Sequence, residues 1–126
     1  MKREMQKLFE AAHEITEFCF SRRGKCFGGW TREKIFAYIA HSILEKHIFI
    51  VKVKDKVKAI AIAKPTGEGR LIFYEVIGGK SACRQMFSQI MQRWPDVKRF
   101  FAFRQHAGKT SDLEELDAAA ILRFTT

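Results

Sequence analysis

The chain has 126 residues, 47% of them hydrophobic and 13% aromatic. This is one domain's worth of sequence with ample core material, which excludes a wholly disordered protein. Twenty-three Lys and Arg against fourteen Asp and Glu give a net charge of +9; that excess favours anionic partners (nucleic acid, phosphorylated cofactors or an acidic protein), with a solubilising surface as the plain alternative. The longest uncharged apolar runs, such as Ile48–Val51 and Ala59–Ala63, fall far short of the roughly 18 residues a membrane span needs, and the Met1–Lys7 start lacks an apolar signal core. The expectation is a soluble, cytoplasmic protein.

Charge is uneven along the chain. All the basic residues but Arg123 precede residue 111, while Asp112, Glu114, Glu115 and Asp117 make residues 111–126 acidic. Cys19, Cys26 and Cys83 are sparse and form no Cys-x-x-Cys pair, which excludes a zinc ribbon and fits reduced, structural thiols. His13, His41, His47 and His106 are scattered without an i, i+4 pair, so no metal site is expected.

Leu8, Ala11/Ala12, Ile15 and Phe18/Cys19 recur at helical spacing and predict a helix from about Glu4 to Phe20. Ser21 to Gly29 is a basic loop with three glycines. A second helix starts at Thr31, the expected N-cap, and runs to about Lys46-His47 with Ile35, Tyr38/Ile39 and Ser42/Ile43 on one face. Ile48 to Lys54 reads as a strand, Asp55-Lys56 as a turn, and Val57 to Ala63 as a strand covered on both faces. Pro65 to Gly69 is a second turn and Arg70 to Ile77 a third strand, which together make an antiparallel meander. Gly78-Gly79 ends that strand. Ser81 is the expected cap of a helix from Ala82 to Trp94, with Cys83, Met86/Phe87, Ile90/Met91 and Trp94 on one face. Pro95-Asp96 stops it, and Val97 to Arg104 is a fourth strand reached by a parallel crossover. Gln105 to Thr110 reads as a loop. Beyond it, Ser111-x-x-Glu114 resembles a capping box before a short helix, and Ile121 to Thr125 reads as a final strand. The fold class is α/β: one domain with a mixed, mostly antiparallel sheet of five or six strands flanked by helices.

Two helices, a β meander, a helix and a strand, in that order, resemble the acyl-CoA N-acyltransferase (GNAT) superfamily over roughly residues 30–105. The resemblance implies a strand, here Leu71 to Ile77, that splays from its parallel neighbour and offers backbone to the pantetheine arm of acetyl-CoA or another acyl-CoA. It places the arm on Glu75, Val76 and Ile77, and the pyrophosphate on Gly78, Gly79, Lys80, Ser81 and Ala82, with charge from Lys80 and Arg84. A helix N-terminus suits an anion because its first amides lack internal partners and its dipole is positive there. The resemblance also makes Glu75 the candidate general base toward an amine acceptor. Two features depart from the family. Its Gln/Arg-x-x-Gly-x-Gly/Ala signature would put later glycines where Arg84, Gln85 or Met86 stand, and its late Tyr is missing, since none follows Tyr74. The structural alternatives are a plain strand-to-helix turn for Gly78-Gly79 and, for Glu75, a carboxylate that faces solvent or pairs with a neighbouring Lys. A more distant resemblance, to the toxin-activating lysine acyltransferases, covers Ile77-Gly-Gly, the following helix, Arg93-Trp-Pro95 and the strand ending at Arg104. Their catalytic His and Asp find no clear match; His13 is the histidine that could be proposed, but it lies in a helix pattern and is expected to face solvent.

The competing reading is a non-enzymatic GNAT-like binding or structural module of phage or mobile-element type. Lys52, Lys54, Lys56 and Lys58 cluster around one hairpin, and a basic β-ribbon can track nucleic-acid phosphates. Arg22, Arg23 and Lys25 beside Phe27 and Trp30, and Lys98, Arg99 and Arg104 beside Phe100, Phe101 and Phe103, mix charge with rings that can stack on bases. The bland alternative is that edge lysines guard against aggregation and the phenylalanines are core. Cys83, near a helix start, has either a lowered thiol pKa or an inert apolar burial. The acidic segment folds back on the basic body or joins a homo-oligomer contact, and an exposed sheet edge offers a route to a dimer.

Overall fold

The computed structural model describes residues 2–22, 29–106 and 109–117. The chain divides into two compact units, residues 1–48 and 49–126. The first is a helix pair, α1 (Lys2–Phe20) and α2 (Arg32–Leu44). The predicted apolar stripe of α1 is buried at Ala12, Ile15, Phe18 and Cys19. Among them Thr16 satisfies its hydroxyl by donating to the Ala12 carbonyl at 2.6 Å. Phe9 of α1 and Phe36 of α2 bring their rings within 5.0 Å, and Arg32 pairs with Glu17 at 2.7 Å. Thr31 caps α2 as expected, its hydroxyl accepting from the Lys34 N–H at 3.2 Å. Helix α2 stops at Leu44, two residues earlier than its sequence pattern predicts, because Lys46 turns left-handed at φ 60°. Arg23, Lys25, Cys26 and Phe27 lie outside the described residues.

The second unit is a five-stranded sheet in the order β1-β2-β3-β4-β5, with β1 (Ile48–Val53) entering from the first unit, then β2 (Lys56–Gly67), β3 (Arg70–Gly78), β4 (Arg99–His106) and β5 (Lys109–Leu116). Strands β3 and β4 are parallel, while β2–β3 and β4–β5 are antiparallel. The two-residue β1–β2 connection likewise dictates an antiparallel pair. The sheet is therefore mixed and mostly antiparallel, as the sequence implies. Helix α3 (Lys80–Arg93) connects β3 to β4 and lays Cys83, Met86 and Ile90 on one sheet face against Ala59, Ala61, Ala63, Leu71, Phe73 and Phe100. The alanines of β2 let the helix approach closely, and the large side chains of β3, β4 and α3 fill the space.

Several boundaries differ from the sequence reading. The first hairpin turns at Lys54-Asp55, one residue before the expected Asp55-Lys56, with φ 54° and 63° at the two positions. That is the type I′ geometry that matches sheet twist, adopted without the usual Asn or Gly. Strand β2 runs through Pro65 to Gly67, and only Glu68-Gly69 turns; a register irregularity between Pro65 and Gly67 accommodates the missing N–H. The expected cap Ser81 lies inside α3, whose N-cap is Gly79. Residues 111–116 form part of β5 and not a capped helix, so the Ser111-x-x-Glu114 resemblance is overruled by pairing with β4. Glu115 of this acidic segment grips Arg99 through two hydrogen bonds of 2.9 and 2.7 Å. The expected strand Ile121 to Thr125 lies outside the described residues. No helix among the described residues is long and apolar enough to cross a membrane.

Candidate functional site

Strands β3 and β4 pair only from Arg70↔Arg99 to Phe73↔Ala102. Beyond Phe73, β3 continues to Gly78 along β2, while β4 continues along β5. The parallel pair thus opens into a notch whose one side is the β3 backbone from Tyr74 to Gly78. Among the described residues that backbone has no strand partner on the β4 side.

A bulge sits at the apex of the notch. Ile62 pairs with Glu75 and Ala63 with Phe73, leaving Tyr74 as an extra residue on β3. Ala61 and Ala63 face α3, so Ile62 between them faces away, and Glu75 opposite Ile62 shares that outer face. Tyr74 is there too. The ammonium of Lys64 lies 5.3 Å from its ring centroid, and Lys64 alternates from the core residue Ala63. The bulge therefore places two successive β3 side chains on one face. Glu75 is half-buried, and loss of hydration raises its carboxyl from 4.5 to about 7. This partial burial distinguishes Glu75 from a fully solvated carboxylate.

The strand ends in a close contact. Gly78 has φ +148°, and a Cβ there would lie 2.5 Å from the Ala59 Cβ and 2.8 Å from the Lys58 carbonyl oxygen. Gly79, by contrast, has nothing within 4 Å of a Cβ position. It caps α3 in extended conformation without a side-chain hydrogen bond. The first intrahelical bond runs from the Cys83 N–H to the Gly79 carbonyl at 2.9 Å, so the Lys80, Ser81 and Ala82 amides precede the helical ladder. Lys80, Ser81 and Arg84 are exposed around this end. Of the positions where the GNAT signature would put glycine, Met86 is fully buried in the core and Arg84 and Gln85 are exposed on α3. The turn is shorter than that signature and ends before those positions. Cys83 is buried, and desolvation pushes its thiol up, which removes it as an activated thiol.

The four hairpin lysines, Lys52, Lys54, Lys56 and Lys58, are all exposed. Strand alternation from Lys52 would put Lys54 on the same face, but Lys54 lies in the turn beyond β1 and does not share it. Lys52 alternates from Val51 and Lys58 from Ala59, both packed toward α3, so Lys52, Lys56 and Lys58 share the outer face. The aromatic cluster on β4 splits. Phe100 is buried under α3, beside the Phe87 ring at 5.4 Å, whereas Phe103 is 36% exposed. His13 is exposed on α1, as expected. A cavity of about 230 Å³ lies at the other end of β3, between Gly69, Arg70, the last α3 residue Arg93 and the Trp94 and Pro95 that follow it; it is separate from the notch. The bulge and the length of the splay are what sequence reasoning missed, because both depend on register between distant segments.

No family model matches the chain, and no curated protein sequence matches it. Among solved structures, a "putative acetyltransferase" from Staphylococcus aureus Mu50 aligns with a TM-score of 0.44 and 11% identity, over 77% of this chain and 69% of that one. A likeness that loose carries no argument about activity, so the functional reading rests on the notch.

Proposed function

We propose that this is a GNAT-like N-acyltransferase that moves an acetyl or other acyl group from coenzyme A to an amine. The observation that carries the reading is the splay of β3 from β4 beyond Phe73↔Ala102, with a half-dry carboxylate at its apex and an uncapped helix N-terminus at its end.

The chain's groups fit an extended thioester with a pyrophosphate. The open β3 backbone over Glu75, Val76 and Ile77 offers amide and carbonyl groups to a pantetheine arm. Gly79 leaves the turn uncovered, and the Lys80, Ser81 and Ala82 amides, with the Lys80 and Arg84 charges, suit the pyrophosphate. A bound acyl thioester supplies the activated carbonyl. Glu75 then accepts the proton that the amine nitrogen gives up as its bond to the acyl carbon forms. The carbon–sulfur bond breaks, and the proton passes to the departing thiolate through Glu75 or solvent. A carboxyl near 7 is matched to this work, being ionised for half its population at neutral pH. No Tyr follows Tyr74, so thiolate protonation falls to solvent or to Glu75 itself.

Amide chemical-shift mapping with acetyl-CoA tests the proposal. The expected result is a set of perturbations along Glu75–Gly78 and Lys80–Ala82. Perturbations confined to Lys52–Lys58 would support the second reading, a polyanion-binding module. The shared outer face of Lys52, Lys56 and Lys58 favours that reading, and nucleic acid is its natural ligand.

A further inference from the structure

The first residues beyond the last parallel pair, Tyr74 on β3 and Phe103 on β4, face each other across the opening of the notch. Their ring centroids are 5.4 Å apart and tilted by 45°. Phe103 alternates from Ala102, which packs toward α3, so this ring pair lies on the outer face with Glu75. Phe103 pairs across β5 with Leu113, and the two are 36% and 44% exposed. An aromatic and apolar surface thus adjoins the carboxylate. Its charged neighbours are Lys64, which lies over the Tyr74 ring, and the β5 residues Glu114 and Glu115 that follow Leu113, Glu115 being bound to Arg99.

Resting on the acyl-transfer reading, we infer that the Tyr74–Phe103 pair is the acceptor clamp and that it selects an amine carried on a flat aromatic body. An aromatic ring laid against Phe103 and Leu113 gains offset or edge-to-face packing and brings a one- or two-carbon amine arm toward Glu75. Polycationic acceptors are disfavoured at contact. Lys64 stands at the clamp, so the further charges of a polyamine meet like charge there, while Glu115 on β5 is already held by Arg99. A monoamine with an apolar body brings no further charge.

Titration calorimetry on the full chain, with 2-phenylethylamine and with spermidine, each with and without acetyl-CoA, tests this. The expected result is at least tenfold tighter binding of phenylethylamine. Phe103→Ala should weaken it about three- to tenfold, while Phe103→Trp and Tyr74→Phe, which keep a ring in place, should retain it. Phe103 is partly exposed, so these variants leave the α3 core intact, and circular dichroism confirms the fold. Equal or tighter spermidine binding, or a preference unmoved by Phe103→Ala, overturns the clamp. The two proposals separate cleanly. Acetyl-CoA binding without amine selectivity leaves acyl transfer standing and removes the clamp, whereas amine selectivity at Phe103 without acetyl-CoA binding keeps the aromatic amine site and removes its acyl donor.

Discussion

Replacing Glu75 with Gln removes an ionisable group from a half-dry site while keeping its shape. In the folded chain the carboxyl ionises near 7, against 4.5 in its ordinary state, because burial disfavours the charged form. A group whose folded pKa is raised supports the fold fully below the unfolded value and loses that support as pH rises through the folded one. The wild-type chain therefore loses stability between about pH 4.5 and 7, and Glu75→Gln does not share this loss. At about 1.4 kcal/mol per tenfold change in proton affinity the full shift is worth roughly 3 kcal/mol. The side chain keeps some contact with solvent, and screening reduces this to about 1–2 kcal/mol. For a chain of this size that is a melting-temperature gain of about 3–8 °C for the variant at pH 8, with the gap closing near pH 4. Scanning calorimetry of both proteins across pH 4–8 measures it. Parallel curves over the whole range would show that the carboxylate is solvated, and would remove the physical basis for its role as base.

Other consequences follow from the same geometry. Gly78→Ala drives a Cβ into Ala59 and the Lys58 carbonyl at a φ of +148°, and should cost about 2–4 kcal/mol in urea denaturation. Gly79→Asp meets open space and gains an N-cap, so it should add a few tenths of a kcal/mol in the same assay. Its carboxylate should at the same time weaken acetyl-CoA binding about tenfold or more by calorimetry. Lys54→Asn combined with Asp55→Gly puts the preferred residues into a turn with two positive φ angles, and should stabilise the hairpin by about 0.5–1 kcal/mol in thermal melts.

What the sequence revealed follows physical lines. Periodicity located the buried stripes of α1 and α3, and alternation located β2 and β3, because those elements bury large contiguous apolar surfaces. The Lys54-Asp55 turn was misplaced by one residue because neither side chain advertises a left-handed backbone. Strand β5 is not legible, since its start reads as a polar loop and Ser111-x-x-Glu114 resembles a capping box; its strand state comes from pairing with β4 and from the Arg99–Glu115 grip. At the site, Glu75 and the Gly78-Gly79 turn could be picked out by position in the element order. The Tyr74 bulge could not, since it exists only in the register of β3 against β2. The same holds for the Tyr74–Phe103 pair, which joins two strands separated by a whole helix.

The most direct test of the central claim is thermal stabilisation by acetyl-CoA, titrated beside ATP and heparin at two salt concentrations. A site built from the open β3 edge and the α3 N-terminus predicts a shift selective for acetyl-CoA that persists in high salt and shrinks in Gly79→Asp. Equal shifts from all three ligands that fade with salt, the signature of counterion release from a basic surface, would contradict it, as would no shift with acetyl-CoA at all.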